Sequence, residues 1–202
     1  MDEPRTHRTC PVWLGYFLLN PFRKFAHSPA RLVGGRVREG MTTLDAGCAM
    51  GFFSLPLARM AGASGRVICV DFQEGMLAVL KRRAAKAGLA DRIIPRRCTE
   101  QSLEISDFEG KVDVAVAFAV VHEVGDKARF LREIATTLKP GGLLFLSEPR
   151  GHVKSREFER ALEMALACGL TVQERPWIWA TRSAWLVRSG PVQVQSPPGG
   201  IG

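Results

Sequence analysis

No two cysteines in this chain of 202 residues stand in C-x-x-C spacing. The five present, Cys10, Cys48, Cys69, Cys98 and Cys168, are odd in number and dispersed. Without an export signal, such a set reads as free thiols rather than as a disulfide framework or a zinc site. Long apolar runs are also missing. The longest near the N-terminus, Pro11–Leu19, falls short of the ~20 residues that a bilayer span needs. It also lacks the small-residue cleavage site that closes a signal peptide. The expectation is therefore a cytoplasmic protein with no stable membrane insertion. Internal repeats and low-complexity tracts are absent from the body of the chain. Nor is there a block rich in Lys and Arg, although the net charge is +8. Arg82, Arg83, Arg96, Arg97, Arg156 and Arg160 are spread along the sequence. A positive balance can attract nucleic acid, anionic lipid or an acidic substrate, but this dispersion reads first as a solvated arginine-rich surface.

What is present is an alternation of short apolar runs with longer amphipathic stretches. Hydrophobic residues make up 46% of the chain and charged residues 24%, the balance of one globular domain with a real core. Thr42–Ala46 reads as a strand, followed by a glycine-bearing turn and a helix over 52–60. Arg66–Val70 reads as a second strand ending at Asp71. Glu74–Ala87 is a helix with Met76, Leu77, Leu80 and Ala84 on one face, closed by Gly88. Asp91–Arg97 is a third strand and Val112–Phe118 a fourth, apolar enough to be covered on both faces. A helix over 126–138, with Asp126 as its N-cap, is expected to stop at Lys139-Pro140-Gly141-Gly142 before a fifth strand, Leu143–Ser147. Ser155–Cys168 is a further helix ended by Gly169. Leu170–Glu174 and Ala184–Val187 are too close for a crossover helix and so form a hairpin. The expected fold is a Rossmann-like, doubly wound α/β sheet, mostly parallel with an antiparallel edge hairpin and helices on both faces. Residues 1–40 are expected to form a helical lid, 41–190 the domain itself, and 191–202 a disordered tail.

In such sheets ligands sit beyond the carboxyl ends of the strands, where strand order reverses. The loop after the first strand reads Asp45-Ala46-Gly47-Cys48-Ala49-Met50-Gly51. Gly47 and Gly51 allow a tight turn and a close approach to a ligand, where a side chain would collide. A dinucleotide fingerprint would need glycines at Ala49 and Phe52, and neither is glycine. Asp71, twenty residues past Gly51, is placed to accept two hydrogen bonds from a ribose diol. The plainer readings are a structural turn and a helix N-cap.

Four stretches together point further: D-x-G-x-A-x-G, V-D-F-Q-E-G-M-L, V-D-V-A-V-A-F and F-L-R-E-I-A-T-T-L-K-P-G-G-L-L-F-L-S-E-P. In this order and spacing, over residues 42–149, they resemble class I S-adenosylmethionine-dependent methyltransferases. The nearest flavour is the small-molecule subgroup of ubiquinone and menaquinone biosynthesis. The resemblance implies S-adenosylmethionine as cofactor. It implies that Asp45, Gly47, Cys48, Ala49 and Gly51 shape the pocket for its methionine half, Ala49 standing at the family's middle glycine. Asp71 would hold the ribose, with Phe72 and Met76 near the adenine. Cys98 and Thr99 occupy the place of the adenine amino contact, and Phe118 and Ala119 lie near the sulfonium.

Methyl transfer from a sulfonium needs alignment first, and a base only when the acceptor arrives protonated. The loops after the fourth and fifth strands carry His122, Glu123, Glu148 and His152. Three readings stand together: His122 or His152 as general base with Glu123 beside it, a divalent metal held by all four, or hydrogen bonds to loop backbone alone. No metal is expected. Aromatics in Pro11–Phe22, with Trp177 and Trp179, could wall an apolar acceptor or simply pack on the core. Cys48 and Cys98 could serve a soft acceptor such as arsenite, but no paired cysteines accompany them, and small buried hydrophobes is the default. The expected function is methyl transfer to a small-molecule acceptor, by a monomer or homodimer, with no DNA partner. The alternatives are an RNA methyltransferase, for which N-P-P-Y/F and Pro-Cys signatures are missing, and a non-catalytic cofactor-binding protein.

Overall fold

The computed structural model describes residues 28–189. The expected aromatic lid over 11–22 and the tail over 191–202 lie outside the described residues. Strands β1 (Thr42–Ala46), β2 (Arg66–Asp71), β3 (Ile93–Arg97), β4 (Val112–Phe118), β5 (Leu138–Pro149), β6 (Leu170–Glu174) and β7 (Thr181–Arg188) form one sheet in the order β3-β2-β1-β4-β5-β7-β6. The pairs among β1 to β5 are parallel, whereas β7 runs antiparallel to both β5 and β6. The strand order reverses between β1 and β4, the place where open α/β sheets bind ligands.

Alternation sorts successive side chains to opposite faces of the sheet. Leu44, Ile68, Ala115 and Leu144 join the core under helices α4 (Lys127–Thr137) and α5 (Ser155–Ala167). Val67, Val114, Val116 and Phe145 join the core under α1 (Pro29–Val33), α2 (Ser54–Met60) and α3 (Glu74–Lys86). Both faces are buried, which is why the strands read as near-continuous apolar runs. Among the described residues no helix is long and apolar enough to cross a membrane.

Several boundaries differ from the sequence-based expectation: β3 starts at Ile93 rather than Asp91, since Ala90–Arg92 form a 3₁₀ turn, and β5 runs on to Pro149. The helix after β1 starts at Ser54 rather than at residue 52, because Gly51 to Phe53 still complete the turn. Leu138 does not end α4 but begins β5, pairing with Val112. Lys139-Pro140-Gly141-Gly142 then bulges out of the ladder before Leu143 rejoins it opposite Val114. Lys139 is held there by Asp113 at 2.6 Å, and Asp113 also accepts the Thr42 N–H at 2.9 Å. At the other end β7 begins three residues earlier than expected, at Thr181. Thr181 and Ser183 are buried, and a hydroxyl chain runs from Thr181 to Ser183 to Ser147 at 3.0 and 2.9 Å. Polar residues satisfied in this way can lie inside a sheet.

Candidate active site

The loop leaving β1 is folded back over β2. The N–H groups of Gly47 and Cys48 both donate to the Val70 carbonyl at 2.9 Å. Gly47 and Gly51 have φ of +80° and +84°, as the sequence leads one to expect of a tight turn. Their missing side chains make room for the protein itself. A Cβ on Gly47 would stand 2.5 Å from Val120 Cγ2, and one on Gly51 would stand 2.4 Å from Leu80 Cδ1. A side chain at either position would thus collide with the loop after β4 or with α3, within the protein itself. Ala49 also turns left-handed, at φ +45°, and donates its N–H to Asp71 Oδ2 at 2.8 Å.

Asp71 therefore fastens the loop. Its other oxygen accepts the N–H of Gln73, the N-cap of α3, at 2.9 Å. The N-cap reading and the ligand reading are compatible, since each carboxylate oxygen has a second lone pair. No cation pairs with Asp71 among the described residues, and burial raises its pKa. Asp45 is buried on β1 and accepts the Ser54 hydroxyl at 2.5 Å; burial pushes its pKa up to about 7. Ser54, the first residue of α2, makes no cap bond to its own helix, and nothing in the sequence marks it as the partner of Asp45.

The remaining cofactor positions divide between the rim and the floor. Phe72 is 42% exposed at the end of β2. Met76, only 2% exposed, packs with Met50 and Val79 against Ala49 and so backs the loop from below. Cys98 donates its N–H to the Asp71 carbonyl at 3.1 Å, and burial lifts its thiol to about 11. Thr99 lies beside it, its hydroxyl accepting the N–H groups of Gln101 and Ser102 in a tight turn. Cys48 is buried, and burial together with Cys69 holds its thiol well above the ordinary range. Neutral thiols are poor nucleophiles. Phe118 packs on Phe53 with ring centroids 5.0 Å apart. Ala119, at φ +56°, donates to the Ser147 carbonyl on β5 at 2.7 Å.

Beyond Ala119 a 3₁₀ turn, Val121–Glu123, brings the ionisable residues together. His122 Nδ1 makes a short hydrogen bond with Glu148 Oε2, and Glu148 Oε1 accepts the Val121 N–H at 2.8 Å. The other ring nitrogen, Nε2, is 3.9 Å from Glu123 Oε1. His152 lies edge-on to the His122 ring at 5.6 Å. Hydrogen bonding to Glu148 raises the His122 pKa, and burial raises that of Glu123. Among the described residues no group of three or more His, Cys, Asp or Glu side chains is arranged to hold a metal ion. Trp177 and Trp179 are 78% and 64% exposed on the loop between β6 and β7. The register that pairs Pro149 with Thr181 puts that loop on the same rim.

Comparison with known proteins gives this geometry a family. A family model described as a methyltransferase domain matches residues 37–186. The ubiquinone biosynthesis O-methyltransferase of Bradyrhizobium diazoefficiens is 35% identical over 149 residues, which cover 74% of this chain and 54% of that protein. The chain spans about half the length of the curated relatives it matches. A SAM-dependent methyltransferase from Aquifex aeolicus has a TM-score of 0.78 at 21% identity, over 89% of this chain and 100% of that one. The cyclase SpnF has a TM-score of 0.68 at 18% identity, over 79% of each chain. Likeness at these identities speaks for the fold, and one fold hosts more than one reaction. The match across residues 37–186, laid over a sheet that reverses at the Asp45–Gly51 loop, makes this chain a member of the methyltransferase-domain family.

Proposed function

We propose that this chain transfers a methyl group from S-adenosylmethionine to a hydroxyl of a small-molecule acceptor, with His122 as the base that takes the hydroxyl proton. The observation that carries the proposal is Asp71. Its half-buried carboxylate has two N–H donors, no cation among the described residues, and lone pairs left for a ribose diol at the carboxyl end of β2. The residues present therefore fit the cofactor. Asp45, Gly47, Cys48, Ala49 and Gly51 hold its methionine half, and Asp71 its ribose. Phe72, Cys98 and Thr99 border the adenine with Met76 packed behind, against Ala49, and Phe118 and Ala119 stand near the reacting centre. When bound, S-adenosylmethionine supplies an electrophilic methyl group and leaves as a neutral thioether that keeps the C–S electron pair. The protein's part is to hold the acceptor in line and to receive its proton at His122 Nε2, with Glu123 beside that atom and His152 edge-on to the ring. A hydroxyl acceptor is supported by the names of the O-methyltransferase relatives.

The same reading places the enzyme in the cytoplasm, as a monomer or homodimer, on a small molecule rather than on DNA or RNA. Unpaired Cys48, Cys69, Cys98 and Cys168 suit a reducing compartment.

Calorimetric titration with S-adenosylmethionine, S-adenosylhomocysteine and NADH tests the proposal. Micromolar binding of the two sulfur compounds and none of NADH is expected. Asp71→Ala loses charge-assisted hydrogen bonds worth about 1.5–3 kcal/mol each, so cofactor affinity falls at least tenfold. Unchanged affinity in that variant, shown folded by circular dichroism, removes the ribose assignment.

A further inference from the structure

Glu148 is the carboxylate on this rim that most needs an explanation. It is 1% exposed, and a charge buried so deeply is costly unless paired and hydrogen-bonded. Its partners among the described residues are the Val121 N–H at 2.8 Å and His122 Nδ1. Arg182 lies across from it in the β5–β7 register, but directs its guanidinium to the Val153 carbonyl at 2.8 Å. Among the described residues the one side chain hydrogen-bonded to Glu148 is thus the histidine. The bond to Val121 fixes the carboxylate against the backbone of the very turn that carries His122, so ring and acceptor are tied to one frame.

We infer that Glu148 is a positioning residue, which keeps the proton of neutral His122 on Nδ1 and leaves Nε2, 3.9 Å from Glu123 Oε1, bare to take the acceptor's proton. This rests on the reading of His122 as base. When the acceptor O–H bond breaks and the Nε2–H bond forms, the ring becomes an imidazolium beside Glu148. The proton then passes to water. Because a carboxylate can only accept, it excludes the opposite tautomer, in which a bare Nδ1 would face two oxygen lone pairs. Around the ring the titratable and charged groups are Glu148 on β5, Glu123 on the same turn, His152 on the loop after β5, and Lys127 at the start of α4. The two carboxylates favour the protonated ring and Lys127 opposes it.

The experiment is nitrogen-15 NMR of His122 in the whole chain, without cofactor, across pH 5–9. The wild-type protein at high pH is expected to carry its proton on Nδ1, with a titration midpoint above that of an ordinary histidine. A wild-type ring protonated on Nε2 overturns the inference, and that readout needs no variant. Glu148→Gln keeps the size of the side chain and can still accept from Val121, but its amide then donates to Nδ1. The proton moves to Nε2 and the midpoint falls. Turnover of a phenolic acceptor drops about 10²–10⁴-fold, the span general-base catalysis contributes, while S-adenosylhomocysteine affinity stays. Glu148→Asp, which retains the charge, recovers part of the wild-type midpoint. A folded Glu148→Gln protein with wild-type tautomer, midpoint and turnover sinks the assignment. The two readings fail separately: full turnover in His122→Ala removes the base, whereas the NMR signature reports on Glu148 itself.

Discussion

Gly47→Ala offers a severe test of how the cofactor loop is held. Two costs arise in the structure, and they can be separated. At φ +80° an alanine pays for a left-handed backbone, about 1–2 kcal/mol. Its Cβ would also stand 2.5 Å from Val120 Cγ2 and 2.8 Å from Val120 Cβ, and such overpacking typically costs about 1–3 kcal/mol. Together they predict destabilisation of about 2–5 kcal/mol, a large share of the total for a domain of this size. The clash can be removed from the other side. Val120→Gly deletes the three atoms nearest the new methyl, at its own cost in packing and chain entropy. In a double-mutant cycle measured by urea unfolding, the two changes should therefore couple favourably by about 1–3 kcal/mol, leaving the backbone part unrescued. An unchanged m-value would confirm that the transitions are comparable. Additivity within about 0.5 kcal/mol would refute the reasoning, because it would mean that the β1 loop and the Val120 segment do not press on each other. The test matters for function too. Val120 immediately precedes the turn that carries His122, so the cofactor loop and the proposed base share one steric contact.

Ser54→Ala removes the hydroxyl that Asp45 accepts from at 2.5 Å in a buried setting, and should cost about 1–3 kcal/mol. Since the Asp45 pKa is raised to about 7, the folded state favours its proton; that contribution is complete below the ordinary carboxyl range and is lost as pH rises through about 7. The Ser54 bond favours the charged form, so the loss should be larger at pH 8.5 than at pH 5, and a deficit equal at both, by urea unfolding, speaks against it. Asp126→Ala deletes the N-cap of α4, whose side chain accepts the Arg129 N–H at 2.9 Å, and should lower stability by about 1 kcal/mol in the same assay. A change under a few tenths of a kcal/mol would show that α4 is held by packing alone.

The parts of the fold legible in the sequence were those that bury one kind of surface. β2 and β4 are near-continuous apolar runs, and α3 and α5 carry regular apolar faces with Gly88 and Gly169 at their ends, both left-handed as C-terminal glycines often are. What escaped was structure made by partners distant in the chain. Lys139-Pro140-Gly141-Gly142 has the composition of a stop, yet it is a bulge within β5 because Leu138 pairs with Val112 and Lys139 meets Asp113. Thr181 and Ser183 look like loop residues until Ser147 is placed beside them. At the site, sequence placed His122, Glu123, Glu148 and His152 on one rim, but not the pairing among them. That Glu148 lies beneath the histidine, 26 residues away and buried, follows only from β4 and β5 lying side by side. The glycine loop carried a further ambiguity: spacing shows that two side chains must be absent, and only the packing shows which atoms fill the space.

The antiparallel seat of β7 has a practical corollary. Having entered the sheet beside Pro149, the strand travels back toward the amino ends of its neighbours, with Val187 opposite Leu143 and Arg188 clamped to the Thr136 carbonyl. Ser189, its N–H donated to the Gly169 carbonyl, consequently lies on the side away from His122 and Asp71. A reporter, surface linker or purification handle joined there would anchor the protein by its underside and present the reactive rim to solution.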